Sequence, residues 1–170
     1  MDENKEDKED KENMRSEAMR ATPDLVVFQL ETTAIEHYQA ERLDRAGEFL
    51  EKLVEMRPEN VDYWALLGVI RRRQGRRIPA LEALNQAVEL DPTDKNALIN
   101  LAETLVEAGK VEEGVDLLRA IFEMDYVKGK PAAEQDYFTQ RAGAQLAIIK
   151  EVLEGTREAL NSSGGALGSS

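Results

Sequence analysis

Residues 61–94 read VDYWALLGVIRRRQGRRIPALEALNQAVELDPTD, and the fold is decided inside this stretch. Its first half places Trp64, Leu67, Gly68 and Arg71 at i, i+3, i+4 and i+7, the spacing of one face of an α-helix. Its second half repeats the helical period through Ala80, Leu84, Ala87 and Leu90. Gly75 divides the halves where a helix must stop. Asn60 and Asp94 stand where the N-caps of this unit and the next are wanted. The stretch predicts two antiparallel helices, Val61–Gln74 and Arg77–Leu90, joined by a short turn.

The pattern recurs at a shift of 34 residues in both directions. Counting from Lys95, the matching positions are Leu98, Leu101, Ala102, Gly109, Gly114, Leu118, Ile121 and Tyr126. Counting from Val27, they are Leu30, Thr33, Ala34, Glu41, Ala46, Leu50, Leu53 and Pro58. Small residues such as Gly68, Ala80, Ala87 and Ala102 let helices approach closely. One hairpin cannot hide its apolar face alone, so three such hairpins must stack. Gly129-Lys130-Pro131 then breaks the chain. Residues 132–154 follow with Phe138, Ala142, Leu146, Ile149 and Leu153 at helical spacing, which predicts a capping helix. Gln135, Gln140, Lys150 and Glu151 would form its wet side, and Gly155 its stop. The expected organisation is a charged tail over 1–22, a folded part over 23–160 and a Gly/Ser tail over 161–170. Within the folded part, units fall at 27–60, 61–94 and 95–128. The expected class is all-α, with seven main helices and no β-sheet.

The 34-residue period with W-x2-LG, followed by Gly, Ala, Leu, Ala and Pro at these offsets, resembles the tetratricopeptide repeat. The resemblance covers residues 27–128. The first unit departs from the pattern at Thr33, His37 and Glu41, and the third at Gly114, Ile121 and Tyr126. The family's architecture implies a right-handed superhelix of three hairpins whose concave wall is built from the first helix of each unit. Its groove positions fall here on Phe28, Glu31, Ile35, Tyr38 and Gln39, on Asp62, Ala65, Val69, Arg72 and Arg73, and on Asn96, Ile99, Glu103, Val106 and Glu107. From these the expected partner-binding set is Phe28, Ile35, Tyr38, Ala65, Val69, Arg72, Arg73, Ile99, Glu103 and Val106. Such a semi-apolar trough suits an extended or helical peptide with a few apolar anchors. Glu31 and Ile35 stand where a carboxylate-clamp repeat would offer Lys and Asn, which disfavours that sub-function.

Composition narrows the chemistry. The 170 residues hold 34 Asp plus Glu against 22 Lys plus Arg, a formal net charge of -12, with one His and no Cys. An acidic balance argues against nucleic acid, whose binding relies on Lys and Arg neutralising phosphates. Zero cysteines exclude disulfides, thiolate zinc sites and cysteine nucleophiles. A lone His37 cannot supply a histidine-rich metal cluster, and it takes a position that normally holds a core Tyr, so a packed structural role is expected. No Ser lies between Ala21 and Asn161, which removes serine nucleophiles from the folded part. Gly164-Gly165 lacks the Lys and Ser/Thr of a phosphate loop, and neighbouring acids such as Glu112 and Glu113 read as a solvated face. The longest apolar stretch, Tyr63–Ile70, is far short of the ~20 residues of a spanning helix. No apolar leader segment is visible, so a cytoplasmic protein is expected.

The charge anomaly is the run Arg71-Arg72-Arg73-Gln74-Gly75-Arg76-Arg77 in an acidic chain. Cations complement the carbonyl end of a helix, and Arg is also enriched at interfaces. Successive helical residues fan out by ~100°, so Arg71, Arg72 and Arg73 cannot share one task. The expected function is therefore a protein–protein interaction module, without catalytic, cofactor-binding or metal-binding residues. Its partner is a peptide segment, with a homodimer left open and neither nucleic acid nor membrane insertion expected. A second reading comes from a narrower resemblance. Tyr38-Gln39, Leu43, Ala46, Phe49 and Leu53, then Trp64, Leu66-Leu67-Gly68, Gln74-Gly75 and Ala102-Glu103, are similar to the cytoplasmic type III secretion chaperones that bind translocator proteins. An enzyme is a remote third.

Residues 1–20 carry eight acidic and five basic side chains with Met as their only large apolar type, so they have no core to join. Deleting 1–20 and 162–170 is expected to leave the thermal unfolding midpoint within about 2 °C of the full chain. A drop of 10 °C would show that either segment packs on the folded part.

Overall fold

A computed structural model describes residues 22–125, 131 and 134–164. Among them the chain forms seven α-helices and no strand. These are α1 (Pro23–Gln39), α2 (Leu43–Met56), α3 (Val61–Arg73), α4 (Arg77–Leu90), α5 (Lys95–Glu107), α6 (Val111–Asp125) and α7 (Tyr137–Gly164). The expected tail over 1–20, Tyr126 and the Gly129–Lys130 break lie outside the described residues. The chain divides into two compact units, one ending at Pro58 and the other beginning at Glu59.

The 34-residue translation is carried in the helix ends. α1, α3 and α5 end at Gln39, Arg73 and Glu107, and α2, α4 and α6 begin at Leu43, Arg77 and Val111. Each intervening turn has the same hydrogen bonds. The amides of Glu41, Gly75 and Gly109 donate to the carbonyls of Tyr38, Arg72 and Val106, at 2.8–3.0 Å. The amides of Arg42, Arg76 and Lys110 reach back five residues to His37, Arg71 and Leu105, at 2.9 Å. This is the Schellman ending, which needs its central residue in the left-handed region. Gly75 and Gly109 supply it at φ 76° and 85°; Glu41 is driven into it at φ 58°. A Cβ on Gly75 or Gly109 would meet nothing within 4 Å, so conformation, not space, is what requires glycine there.

Starts are set by side-chain caps. Asn60 accepts from the Tyr63 amide at 3.2 Å, and Asp94 accepts from the amides of Asn96 and Ala97 at 3.0 and 3.3 Å. The first unit differs from its expected start at Val27. Thr22 caps the Leu25 amide at 3.3 Å and Pro23 occupies the first turn, where its missing N–H costs nothing, so α1 begins one turn early.

The first unit is the α1–α2 hairpin, closed over buried Val27, Ala34, Ala46, Leu50 and Leu53. His37 stacks flat on Phe49 across it, with ring centroids 5.4 Å apart, and packs as expected. In the second unit α3–α4 and α5–α6 form hairpins, α5 packs on both α3 and α4, and α7 packs on α6 and α5. Close approach depends on two glycines in ordinary helical conformation. A Cβ on Gly68 would sit 2.5 Å from Leu84 Cγ, and one on Gly114 only 2.8 Å from the Ala102 carbonyl oxygen. Gly114 thus departs from the family's alanine because the α5–α6 backbones leave no room for a methyl group. Trp64 is part-buried and packs against the cluster of Ala65, Ala87 and Ala97.

The capping helix differs from expectation at both ends. It starts at Tyr137 rather than 132, because Asp136 caps it, accepting from the amides of Phe138 and Thr139 at 3.0 and 3.1 Å and from the Thr139 hydroxyl. It runs through Gly155 to Gly164, past the expected stop; a mid-helix glycine costs only about 1 kcal/mol. Gln135, expected on the wet side, is buried ahead of the helix. The Thr139 hydroxyl is the largest influence holding the Asp136 carboxyl below its usual range. The Thr139 amide, the Lys95 ammonium and the Phe138 amide add to it, and burial opposes them. As a depressed acid, this cap contributes fully above pH ~3.9 and is lost only as pH falls through the lower folded-state value.

A left-handed non-glycine residue costs roughly 1–2 kcal/mol. Glu41→Gly is therefore expected to raise the unfolding free energy by about 1 kcal/mol, and Gly75→Ala to lower it by ~1–2 kcal/mol, in urea titrations. Shifts of the same sign for the two substitutions would show that the turn conformation does not limit the hairpins.

Candidate functional site

In the first unit the expected partner residues are exposed or part-buried on α1. Phe28 is 63% exposed and Ile35 47%, while Tyr38 is part-buried. The early start of α1 adds exposed Leu25, which sequence reasoning missed, so an apolar stripe runs Leu25, Phe28, Ile35 at helical spacing. Between them the Thr32 hydroxyl donates to the Phe28 carbonyl at 2.9 Å, which satisfies it within the helix. The stripe is thus apolar with its polar groups internally bonded. Arg57 pairs with Asp24 between the end of α2 and the first turn of α1, an exposed contact worth at most ~1 kcal/mol.

The second unit arranges its expected residues differently. Glu103, on α5, has a side chain only 10% exposed and lies between two guanidinium groups. Arg72, from the last turn of α3, reaches Glu103 at 2.9 Å and Glu107 at 3.0 Å. Arg141, from α7, grips both Glu103 oxygens, with Nε at 3.0 Å from Oε1 and Nη2 at 2.8 Å from Oε2. Gln145 donates to the same carboxylate at 3.4 Å. A cavity of about 140 Å³ lies beside this cluster, lined by Val106, Leu118 and Ile149 and rimmed by Arg72, Glu103 and Gln145. Arg72 Nε is buried without a hydrogen-bond partner.

This corrects part of the expected site. Ile99 is fully buried with Leu118, Ile121 and α7's Ala142, and Ala65 is buried with Ala87 and Ala97, so both are core. Arg72 and Glu103 face each other and belong to an internal ion cluster. Val69 and Val106 are part-buried; Arg73 is exposed. The arginine run divides its tasks as its helical fan requires: Arg71 donates to the Pro79 carbonyl at 3.3 Å, Arg72 to the acids of α5. Sequence reasoning missed Arg141 and Gln145. The available signal was a cation inside the Phe138–Ala142–Leu146 stripe. Among the described residues no helix is long and apolar enough to cross a membrane, and no three His, Asp or Glu side chains group as metal ligands.

Comparison with known proteins agrees with this fold. The solved type III secretion translocator chaperone SycD of Yersinia enterocolitica is 20% identical, with a TM-score of 0.63, covering 75% of this chain and 91% of that one. PcrH of Pseudomonas aeruginosa is 22% identical at a TM-score of 0.63, covering 73% and 91%. The peroxisomal targeting signal receptor of Komagataella phaffii is 34% identical over 68 residues, which are 40% of this chain but only 12% of the receptor. Two tetratricopeptide repeat profiles match in succession, over residues 32–76 and 71–126, and so span more than half of the 170 residues. With three hairpins repeating every 34 residues beneath those matches, the chain belongs to the tetratricopeptide repeat family.

Proposed function

We propose that this chain is a protein-binding module that holds a peptide segment of a partner against the exposed face of α1. The observation that carries the reading is the stripe of Leu25, Phe28 and Ile35, large apolar side chains left in water on a first helix of a repeat family. Apolar surface buried there would contribute about 25 cal/mol per Å², before the cost of ordering the segment. Tyr38, part-buried, gives the stripe a hydroxyl at one end. The reading assigns no catalytic step and no nucleic acid.

A second reading, a cytoplasmic chaperone for type III translocators, has specific support. SycD is solved with a peptide of the translocator YopD, and PcrH with the chaperone binding region of PopD. The likeness extends over 78% of this chain and 97% of the latter, more than the three repeats alone span. The client would then be a secreted translocator.

Panning a phage-displayed peptide library on the purified chain, followed by isothermal titration of selected peptides, tests the first reading. Aliphatic-anchored peptides should be selected. Their affinity should fall at least tenfold in Phe28→Glu and Ile35→Glu, whose circular dichroism should match the wild type. Peptides bound equally by both variants would remove the α1 face as the site. Titration with the PopD region bears on the second reading: micromolar binding is expected, and no binding at millimolar peptide would contradict it.

A further inference from the structure

The α1 stripe leaves unexplained the other large exposed apolar surface, on α7. Ile148, Val152 and Leu153 are each more than half exposed. Beside them a groove of about 480 Å³ opens between α6 and α7, with a floor of Val115, Leu146, Ile149 and Leu153. Its rim carries Arg119, Lys150 and Arg157 against one carboxylate, Glu154. That is three cations to one acid in a chain whose totals run 22 to 34 the other way. The cations are lightly held. Arg119 pairs with Asp116 at 3.0 Å and Lys150 with Glu154 at 3.8 Å, all four side chains more than half exposed. Arg157 has no ion pair among the described side chains. Exposed pairs of this kind contribute little and exchange readily.

The repeat itself states what shape belongs in the groove. Each of α1, α3 and α5 packs against the helix that follows it. α7 packs on α6 and α5 as α5 packs on α4 and α3, so it stands where a further first helix would. We infer that the α6–α7 groove is a docking surface for an amphipathic helix of another protein, with an aliphatic stripe flanked by Asp or Glu. Its aliphatic side chains would cover Leu146, Ile149 and Leu153 while its acids meet Arg119, Lys150 and Arg157. A second copy is the poorer occupant, because each copy brings a net charge of -12 and like charge opposes close approach.

Two labelled 18-residue helical peptides test this by fluorescence anisotropy at 0.15 M salt, one patterned from Leu and Glu and the other from Leu and Lys. The net charge of the chain favours the Lys peptide; the groove favours the Glu peptide. The Leu/Glu peptide is expected to bind saturably and to lose at least tenfold in affinity in Leu153→Asp and several-fold in Arg157→Glu. Phe28→Glu should leave it unchanged, which separates this site from the α1 face. Both substitutions are at exposed positions, and circular dichroism checks that the variants stay folded. Failure of the Leu/Glu peptide to bind, or equal binding by wild type and both groove variants, would overturn the inference. So would a wild-type dimer in sedimentation velocity that Leu153→Asp dissolves, since the occupant would then be a second copy.

Discussion

One carboxylate, Glu103, ties together three helices of the second unit. Taking it and two guanidinium groups largely out of water costs several kcal/mol per ion, which only close geometry can offset. The geometry is close: Arg141 meets both oxygens with its fork, and Arg72 approaches Oε2 from α3 at 2.9 Å. Such a cluster specifies an arrangement more than it adds stability. The turn of α7 that presents Arg141 to Glu103 also buries Thr139 and Ala142 fully. The consequence is functional. With α7 locked there, Ile99 becomes interior and Glu103 is fully engaged, so among α1, α3 and α5 the large exposed apolar side chains are those of α1.

The hairpins rest on a more local constraint, the left-handed residue that ends each first helix. Its recurrence at positions 41, 75 and 109 gives the chain its period, because the same five-residue-back hydrogen bond then starts each second helix in the same direction. Glu41 shows that the turn is imposed by the packing of the hairpin and not by glycine alone. The first unit, which also carries Thr33 and His37 in place of the family's residues, is where local preference and fold agree least. It is also the unit with the exposed stripe. Sequences that depart from local consistency commonly do so where function asks for it.

How much of this was legible in the sequence follows from what each signal encodes. Trp64, Leu67, Gly68 and Gly75 specify helix, close approach and stop, so the α3–α4 hairpin was readable to within one residue. The start of α1 was displaced because Thr22-Pro23 is a stronger beginning than the family phase. The limits of α7 were misplaced because Gly155 weakens a helix without ending it, and because the cap, Asp136, lies beyond residues that look helical. Assigning groove positions by repeat offset treated each first helix as equally exposed. Ala65 and Ile99 were misread for that reason: whether a first-helix residue faces solvent depends on what covers it, and Arg141 comes from a helix outside the repeat. A long-range ion pair leaves no periodic trace.

The measurement closest to the central claim is amide hydrogen exchange of Arg141→Ala beside the wild type. If Glu103 holds α7 in place, exchange should quicken by tenfold or more across 137–157 and around Glu103 on α5, while α2 keeps its protection. Equal protection of α7 in the two proteins would contradict the account: the ion cluster would then follow from the packing of α7 and not govern it.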